Sequence, residues 1–388
     1  MQTARLFSEN PVTIPFNKPY NLETSLKYVA QAAVSGHLSG NGAFTAKCQK
    51  LLRDAYGFRA VMLTTSCTDA LEMCAMLADI KPGDEVIAPS YTFVTSALAF
   101  VRQGASVVFA DSRADHPGID EDAVERLVTE RTKAIVLVHY AGVACDMDRI
   151  MRVAGKHGLI VVEDAAMAVD STYKGKPLGG IGHLGTFSFH ETKNIHSGEG
   201  GALVVNDERF ARRAEIIWEK GTNRAEFFRG EVNKYNWVDT GSSFLPSELT
   251  AAYLYGQLEQ VKAIQKRRVD IWKRYYEALS PYQDRGAVRL PHIPKYASNN
   301  ASMFYMVFDS IDKRSFFIRT MKEKGCAPVF HYLSLHTSPF YKDKHDGRTL
   351  VNADRYSDCL VRLPLYYELW GEELDFTIGC VKDTLDMM

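Results

Sequence analysis

A lysine at position 193 lies in the stretch Thr186-Phe187-Ser188-Phe189-His190-Glu191-Thr192-Lys193-Asn194. It follows the acid-ended apolar run Val161-Val162-Glu163-Asp164-Ala165-Ala166 by about thirty positions. An acid closing one strand and an amine just past a second can serve one ring from two sides. The amine can condense with an aldehyde, and the carboxylate can keep a ring nitrogen protonated so that the ring accepts electrons from a substrate carbanion. A pyridoxal 5'-phosphate enzyme needs that division of labour, with Lys193 and Asp164 as its catalytic pair. Alone, a strand-ending aspartate is an ordinary helix cap and one lysine an ordinary surface residue. The pair carries the reading.

Other segments could complete such a site. A cofactor phosphate needs backbone N–H groups and hydroxyls at a helix start. Small hydroxyl residues fill the turn from Thr64 to Thr68, and Ser188 precedes the lysine by five positions, so Ser66, Cys67 and Ser188 are the phosphate candidates. An ordinary capping turn would have the same composition. Pro89-Ser90-Tyr91-Thr92-Phe93-Val94 follows another strand and offers aromatic faces to a flat ring. Gly198-Glu199-Gly200-Gly201 needs no role beyond a tight turn into a strand. His331-Tyr332-Leu333-Ser334-Leu335-His336 has no acidic or thiol companion, so it reads as the polar wall of a substrate pocket, not as a metal site. Lys220, Asn223, Arg224 and Arg229 share a loop with Phe228, and its cations could pair with diphosphate oxygens of a nucleotide-bearing substrate.

Positioning these groups requires a sheet. Ala60–Leu63, Glu85–Ala88, Ser106–Asp111, Ala134–Val138, Leu159–Val162, Thr186–Phe189 and Ala202–Val205 are apolar without alternation, with helical stretches such as Asp69–Ala78 between them. Such runs suit an α/β fold: a mixed, mainly parallel sheet covered by helices on both faces. Ligands bind at the carboxyl ends of such strands, where Thr64–Thr68, Asp164 and Ser188–Lys193 fall. The chain then reads as helical from Asp207 to Lys220, as a loop from Gly221 to Ser243, and as one long helical region from about Pro246 to Leu279. A strand at Met303–Phe308 and a helix at Lys313–Lys324 suggest a second, smaller α+β domain over 261–388, after a large domain over 1–260.

The 388 residues suffice for a sizeable core, and 46 Lys plus Arg against 47 Asp plus Glu give no excess charge for nucleic acid or an anionic membrane. No apolar run is long enough to span a bilayer, and the first twenty residues lack the apolar centre of a secretory signal. Seven cysteines, Cys48, Cys67, Cys74, Cys145, Cys326, Cys359 and Cys380, have no metal-binding spacing and are odd in number, as expected of free thiols in a reducing cytoplasm.

Taken together, these motifs resemble the sugar nucleotide aminotransferases of the DegT/StrS type, a branch of the fold-type I pyridoxal phosphate enzymes. The matching segments are Thr65–Thr68, Pro82–Ile87, Pro89–Phe93, His139–Gly142, Glu163–Ala166 and Ser188–Asn194. The likeness runs from Ile14-Pro15-Phe16-Asn17 to Leu363-Pro364-Leu365. Phe189–Asn194, Glu219–Arg224 with Phe227–Gly230, and Asp239–Leu245 further resemble the members that aminate dTDP-4-keto-6-deoxyglucose.

The resemblance implies that Lys193 is the imine-forming lysine and base, Asp164 the partner of the ring nitrogen and Phe93 the stacking residue. The Cys67 main chain and Ser188 would hold the phosphate. It implies a homodimer whose partner chain contributes to each site through Lys220–Ser243, with Ser243 reaching the cofactor. Lys220, Asn223, Arg224, Arg229, His331, Tyr332 and His336 would serve the nucleotide-linked keto sugar. Glutamate would be the amino donor, leaving as 2-oxoglutarate, and pyridoxamine 5'-phosphate the alternate cofactor form. The expected product is dTDP-4-amino-4,6-dideoxygalactose for bacterial surface polysaccharide; the alternative is another 3-keto or 4-keto nucleotide sugar. A dehydratase of the same fold carries histidine in the lysine's place, so Lys193 argues against that activity, and no basic segment supports a non-catalytic regulator. Three positions depart from the family's usual pattern. Met167 stands where Gln or His commonly approaches the ring hydroxyl, Ser302 where His is common, and Ser334 where Pro is common.

Overall fold

The structure is a computed structural model that describes residues 14–388; the rest of the stretch read for a secretory signal lies outside the described residues. The seven expected apolar runs form one sheet. Its strands are β1 Ala60–Thr64, β2 Glu85–Pro89, β3 Ser106–Ala110, β4 Thr132–Val138 and β5 Ile160–Asp164. A small hairpin, β6 Thr172–Tyr173 and β7 Lys176–Pro177, precedes β8 Leu184–Ser188 and β9 Gly201–Val205. Across the sheet the order is β1-β9-β8-β5-β4-β2-β3. From β8 to β3 neighbouring strands pair in parallel, whereas β9 runs antiparallel to both β8 and β1. All strands but β9 therefore end at one edge of the sheet, and β9 begins there.

The unbroken apolarity of the strands follows from helices on both faces. Side chains alternate across a strand, and here both alternating sets are buried. Val86, Val136, Val162 and Leu203 pack on one side with Leu71 and Phe100 from the helices Cys67–Leu77 and Thr95–Val101. Ile87, Leu137, Val161 and Val204 face the other way, toward Leu52, Ile150 and Leu254 of the helices Ala43–Tyr56, Met147–His157 and Glu248–Glu259. Each such side chain withdrawn from water contributes about 1.5–3 kcal/mol before conformational entropy is charged against it.

Two expectations about local structure need correction. The single helical region over Pro246–Leu279 is two helices, Glu248–Glu259 and Val261–Asp284, interrupted at Gln260, whose amide turns back to Gln257 O at 3.0 Å. No glycine or proline marks that break. The expected loop after Gly221 contains a short helix, Arg224–Phe228. A third apolar group, including Ile271, Tyr275, Phe304, Phe317, Val361 and Val381, gathers around the antiparallel pair β10 Phe304–Val307 and β11 Leu360–Leu363. Among the described residues, no helix is long and apolar enough to cross a membrane.

Candidate active site

A cavity of about 800 Å³ opens at the edge where the parallel strands end. Ser66, Cys67, Phe93, Asp164, Met167, Ser188, Lys193, His331 and Tyr332 all line it.

Lys193 sits between β8 and β9 in a loop closed by its own backbone. Phe189 N donates to Gly200 O and Glu191 N to Gly198 O, each at 2.8 Å, and Lys193 N donates to His190 O at 2.9 Å. The next residue anchors the turn from outside: Asn194 Nδ2 donates to Gln265 Oε1 at 2.8 Å and to Asn300 O at 2.9 Å. Withdrawal from water lowers the lysine's pKa, with the charge of Asp164 pulling the other way. The amine is thereby moved toward the neutral form a base or nucleophile requires.

Asp164 ends β5, in register with Val138 of β4 and Thr186 of β8. Its Oδ2 accepts from Ser96 Oγ at 2.7 Å and its Oδ1 from Ala166 N at 3.1 Å. Burial raises this carboxyl above its ordinary range; the Ser96 hydroxyl, the Ala166 amide and the Lys193 charge draw it back. Glu163, one residue earlier, points to the opposite side. Its carboxylate accepts from Gly179 N (2.9 Å), Ile181 N (2.7 Å) and Gly182 N (2.5 Å), and meets His139 Nε2 at 2.9 Å. Two adjacent acids thus divide the work: Glu163 fastens the strand to a turn, and Asp164 faces the cavity.

The helix Cys67–Leu77 starts at the same edge. Ser66 caps it, its hydroxyl accepting from Asp69 N at 3.1 Å while its own proton remains free to be donated. Burial pushes the Cys67 thiol well up, so it brings no negative charge to a helix end that favours anions. A Cβ on Gly201 would stand 2.4 Å from Cys67 N and from the Ser66 carbonyl group, so only glycine lets β9 begin against this turn. Phe93 is 54% exposed where it lines the cavity, an aromatic face left for a flat partner.

His331 is hydrogen-bonded through Nδ1 to Tyr140 Oη at 2.7 Å and stacks on Tyr332, with centroids 3.5 Å apart. Burial, with the nearby charges of Arg362 and Lys193, holds its pKa well below the usual range, and the ring is neutral.

Within one chain, six expected site residues do not reach this cavity. His336 is buried, with Nδ1 2.7 Å from Ser90 Oγ, and steadies the turn that carries Phe93 instead of forming the pocket wall. Asn223 accepts from Asn236 N at 2.7 Å and donates to Glu226 at 3.2 Å, holding its own loop together. Arg229 is paired with Glu215 (2.9 Å) and Glu231 (2.7 Å), and Arg224 lies over the Phe228 ring at 5.1 Å. Lys220 and Ser243 are exposed, beside Gly221 and Phe244. The structure brings Ser302, one of the three departures from the family's pattern, and Thr92 of the Pro89–Val94 segment into the cavity wall, and adds Arg268 and Arg362 to it and Ser96 behind Asp164. Of Arg268, Arg362 and Ser96, only Arg362 had a visible signal, as a lone cation in the apolar run Leu360–Leu365.

Pyridoxal phosphate matches this arrangement part by part: an amine shielded from water for the aldehyde, a buried carboxylate for the ring nitrogen, a half-exposed aromatic for the ring and a capped helix start for the phosphate. Fold and site together define a fold-type I pyridoxal phosphate-dependent aminotransferase. The chain belongs to the DegT/DnrJ/EryC1/StrS aminotransferase family, whose sequence profile matches residues 19–382. It is 32% identical over 379 residues to the spore coat polysaccharide biosynthesis protein SpsC of Bacillus subtilis, covering 95% of this chain and 96% of that protein. The aminotransferase TlmJ of Streptoalloteichus hindustanus superimposes with a TM-score of 0.88 at 28% identity, over 97% of this chain and 98% of its own. The pyridoxal phosphate form of Spr1654 from Streptococcus pneumoniae gives 0.87 at 26% identity, over 96% of this chain and 99% of its own. Its pyridoxamine phosphate form gives 0.88 at 27%, over 97% and 100%.

Proposed function

We infer that the protein transfers the amino group of glutamate to C4 of dTDP-4-keto-6-deoxyglucose, giving dTDP-4-amino-4,6-dideoxygalactose and 2-oxoglutarate. The observation that carries the transamination is the meeting of the Lys193 amine and the Asp164 carboxylate in one cavity. The choice of sugar rests on the resemblance of Glu219–Arg224, Phe227–Gly230 and Asp239–Leu245 to that branch of the family.

When bound, pyridoxal phosphate supplies the electron sink that lets a C–H bond beside nitrogen ionise. Asp164 would hold the protonated ring nitrogen, and the Ser96 hydroxyl and the Ala166 amide favour its ionised form against the burial that raises it. Lys193 Nζ takes the proton from the donor's α-carbon, and in the second half of the cycle Nζ delivers a proton to sugar C4. The neutral His331, tied to Tyr140, offers a hydrogen-bonding edge for sugar hydroxyls beside the amine.

A homodimer belongs to this reading, with the 220–243 loop of each chain serving the other's site. Its support is the loop's own surface: Trp237 is 81% and Phe228 69% exposed, and large apolar side chains in that state suit a protein contact. The division at residue 260, a cytoplasmic location and a role in bacterial surface polysaccharide are parts of the same proposal.

The test is a panel of dTDP-, UDP- and GDP-linked 3-keto and 4-keto sugars incubated with glutamate, the products read by NMR. The expected preferred substrate is dTDP-4-keto-6-deoxyglucose with an axial C4 amine in the product; preference for a 3-keto or another 4-keto sugar replaces the substrate assignment. Sedimentation should give a dimer, and a fully active monomer contradicts the shared site.

A further inference from the structure

Tyr140 follows β4 in a tight turn that is held from outside. Ala141 and Gly142 both take left-handed conformations (φ 58° and 75°), and a Cβ on Gly142 would stand 2.0 Å from Asn300 Oδ1. The Tyr140 ring is buried, edge-on to Tyr305 of β10 at 5.9 Å and to Tyr332 at 6.2 Å. Its hydroxyl lies 2.7 Å from His331 Nδ1. The His331 ring, stacked on Tyr332 with 26° between their planes, lines the cavity, and its Nε2 makes no hydrogen bond among the described residues. A neutral imidazole carries one N–H, on either nitrogen. Were it on Nδ1, it would donate to Tyr140 Oη, and the phenol's own proton would need another acceptor. Among the described residues none is present: the hydroxyl makes no second hydrogen bond, and Tyr91, its ring 5.6 Å away, has a buried hydroxyl without a partner. A buried proton without an acceptor is costly. With Tyr140 donating to Nδ1 the phenol is served, and the imidazole proton is on Nε2, at the cavity.

We propose that Tyr140 is a positioning residue that fixes His331 as the Nε2–H tautomer, so that His331 meets the sugar as a hydrogen-bond donor to one of its oxygens. The assignment rests on the transamination reading above and adds to it the direction of that bond and the residue that sets it. The reaction brings charged acceptors, the donor's carboxylates and the diphosphate, and neutral ones, the hydroxyl and carbonyl oxygens of the sugar. A single neutral N–H matches a neutral oxygen, since charged oxygens are held best by cations. A ring free to exchange tautomers would present an acceptor part of the time and lose the bond in that fraction. Tyr140 removes that loss before the sugar arrives. No proton leaves His331.

Two readouts on the holoenzyme test this. The first is NMR of protein with nitrogen-labelled histidine, where long-range nitrogen–proton couplings tell which ring nitrogen carries the proton; His331→Gln assigns the His331 signals by their absence. Wild type should show the proton on Nε2 and Tyr140→Phe a mixture of tautomers. A proton on Nδ1 in wild type, or an unmixed Nε2–H ring in Tyr140→Phe, overturns the proposal. The second is the rate of each half-reaction, followed by the cofactor's absorbance: glutamate with the pyridoxal form, and the preferred keto sugar of the panel above with the pyridoxamine form. Tyr140→Phe should slow the sugar half-reaction roughly tenfold and the glutamate half-reaction by less than about twofold. A glutamine amide donates without tautomers, so in the His331→Gln background the same change should cost less than about twofold. Equal slowing of both half-reactions, or an equal loss in both backgrounds, makes Tyr140 a packing residue and overturns the proposal. Thermal melts of each holoenzyme separate lost function from lost folding. A wild-type enzyme that transfers no amino group to any keto sugar overturns the transamination reading instead, and the tautomer spectrum still judges Tyr140.

Discussion

Ser96→Ala tests the electrostatics behind the ring-nitrogen partner without touching either catalytic group. The Ser96 hydroxyl is fully buried, bonds Asp164 Oδ2 at 2.7 Å and lies 2.9 Å from Thr92 Oγ1. It is the largest influence opposing the burial that raises Asp164. A hydrogen bond to a charged group contributes about 1.5–3 kcal/mol, and the interior offers no water to replace it. At about 1.4 kcal/mol per tenfold, the ionised carboxylate should lose about ten- to a hundredfold in population relative to its protonated form. A protonated Asp164 cannot hold the ring nitrogen as a cation. The kcat/KM of Ser96→Ala should therefore fall at neutral pH, and the acid limb of its pH profile should move to higher pH. Ser96→Thr keeps the hydroxyl and should restore the profile. The assay is kcat/KM against pH for the three proteins, with thermal melts to confirm folding. A Ser96→Ala profile that overlays wild type, or a loss that Ser96→Thr does not restore, refutes the reasoning.

Glu163→Gln places an amide where four donors converge on a carboxylate, so one buried donor loses its acceptor; urea unfolding should show about 1–3 kcal/mol lower stability, and an unchanged midpoint would contradict the role given to Glu163. Phe93→Ala removes a half-exposed ring and should weaken cofactor binding by roughly two- to tenfold, the size of an aromatic stack, with the melt of the cofactor-free protein unmoved; equal cofactor affinity sinks the stacking role. His116 is buried, and burial lowers its pKa from 6.5 to about 3. The unfolded chain binds the extra proton between those values, so stability is full above 6.5 and is lost as pH falls toward 3. Unfolding free energies measured across that range should decline less steeply in His116→Gln; parallel slopes would rule the histidine out as the source.

The sheet was legible because both faces of each strand are covered, leaving unbroken apolar runs such as Leu203–Val205 and Val86–Pro89 that no half-exposed strand would show. The edge at which the strands end was legible for the same reason, and Lys193 and Asp164 fall there because each follows such a run. Ser96 was not legible: its partner is 68 positions away, and a serine opening a short helix looks like any cap. Arg362 and Arg268 reach the cavity from the β11 strand and the long helix Val261–Asp284, elements whose approach to the large sheet no local pattern announces. His336 was misjudged because its spacing from His331 says nothing about facing. Its neighbours turn it inward to Ser90, 246 positions earlier. The break at Gln260 escaped notice because helix formers flank it and no glycine or proline marks it.

The claim on which the site depends is that the amine at position 193 carries the cofactor. Borohydride reduction of the holoenzyme, digestion and mass spectrometry would locate the trapped pyridoxyl group directly. The account requires that group on Lys193, with none trapped in Lys193→Ala; its recovery on a different lysine, or undiminished trapping in the variant, would contradict it.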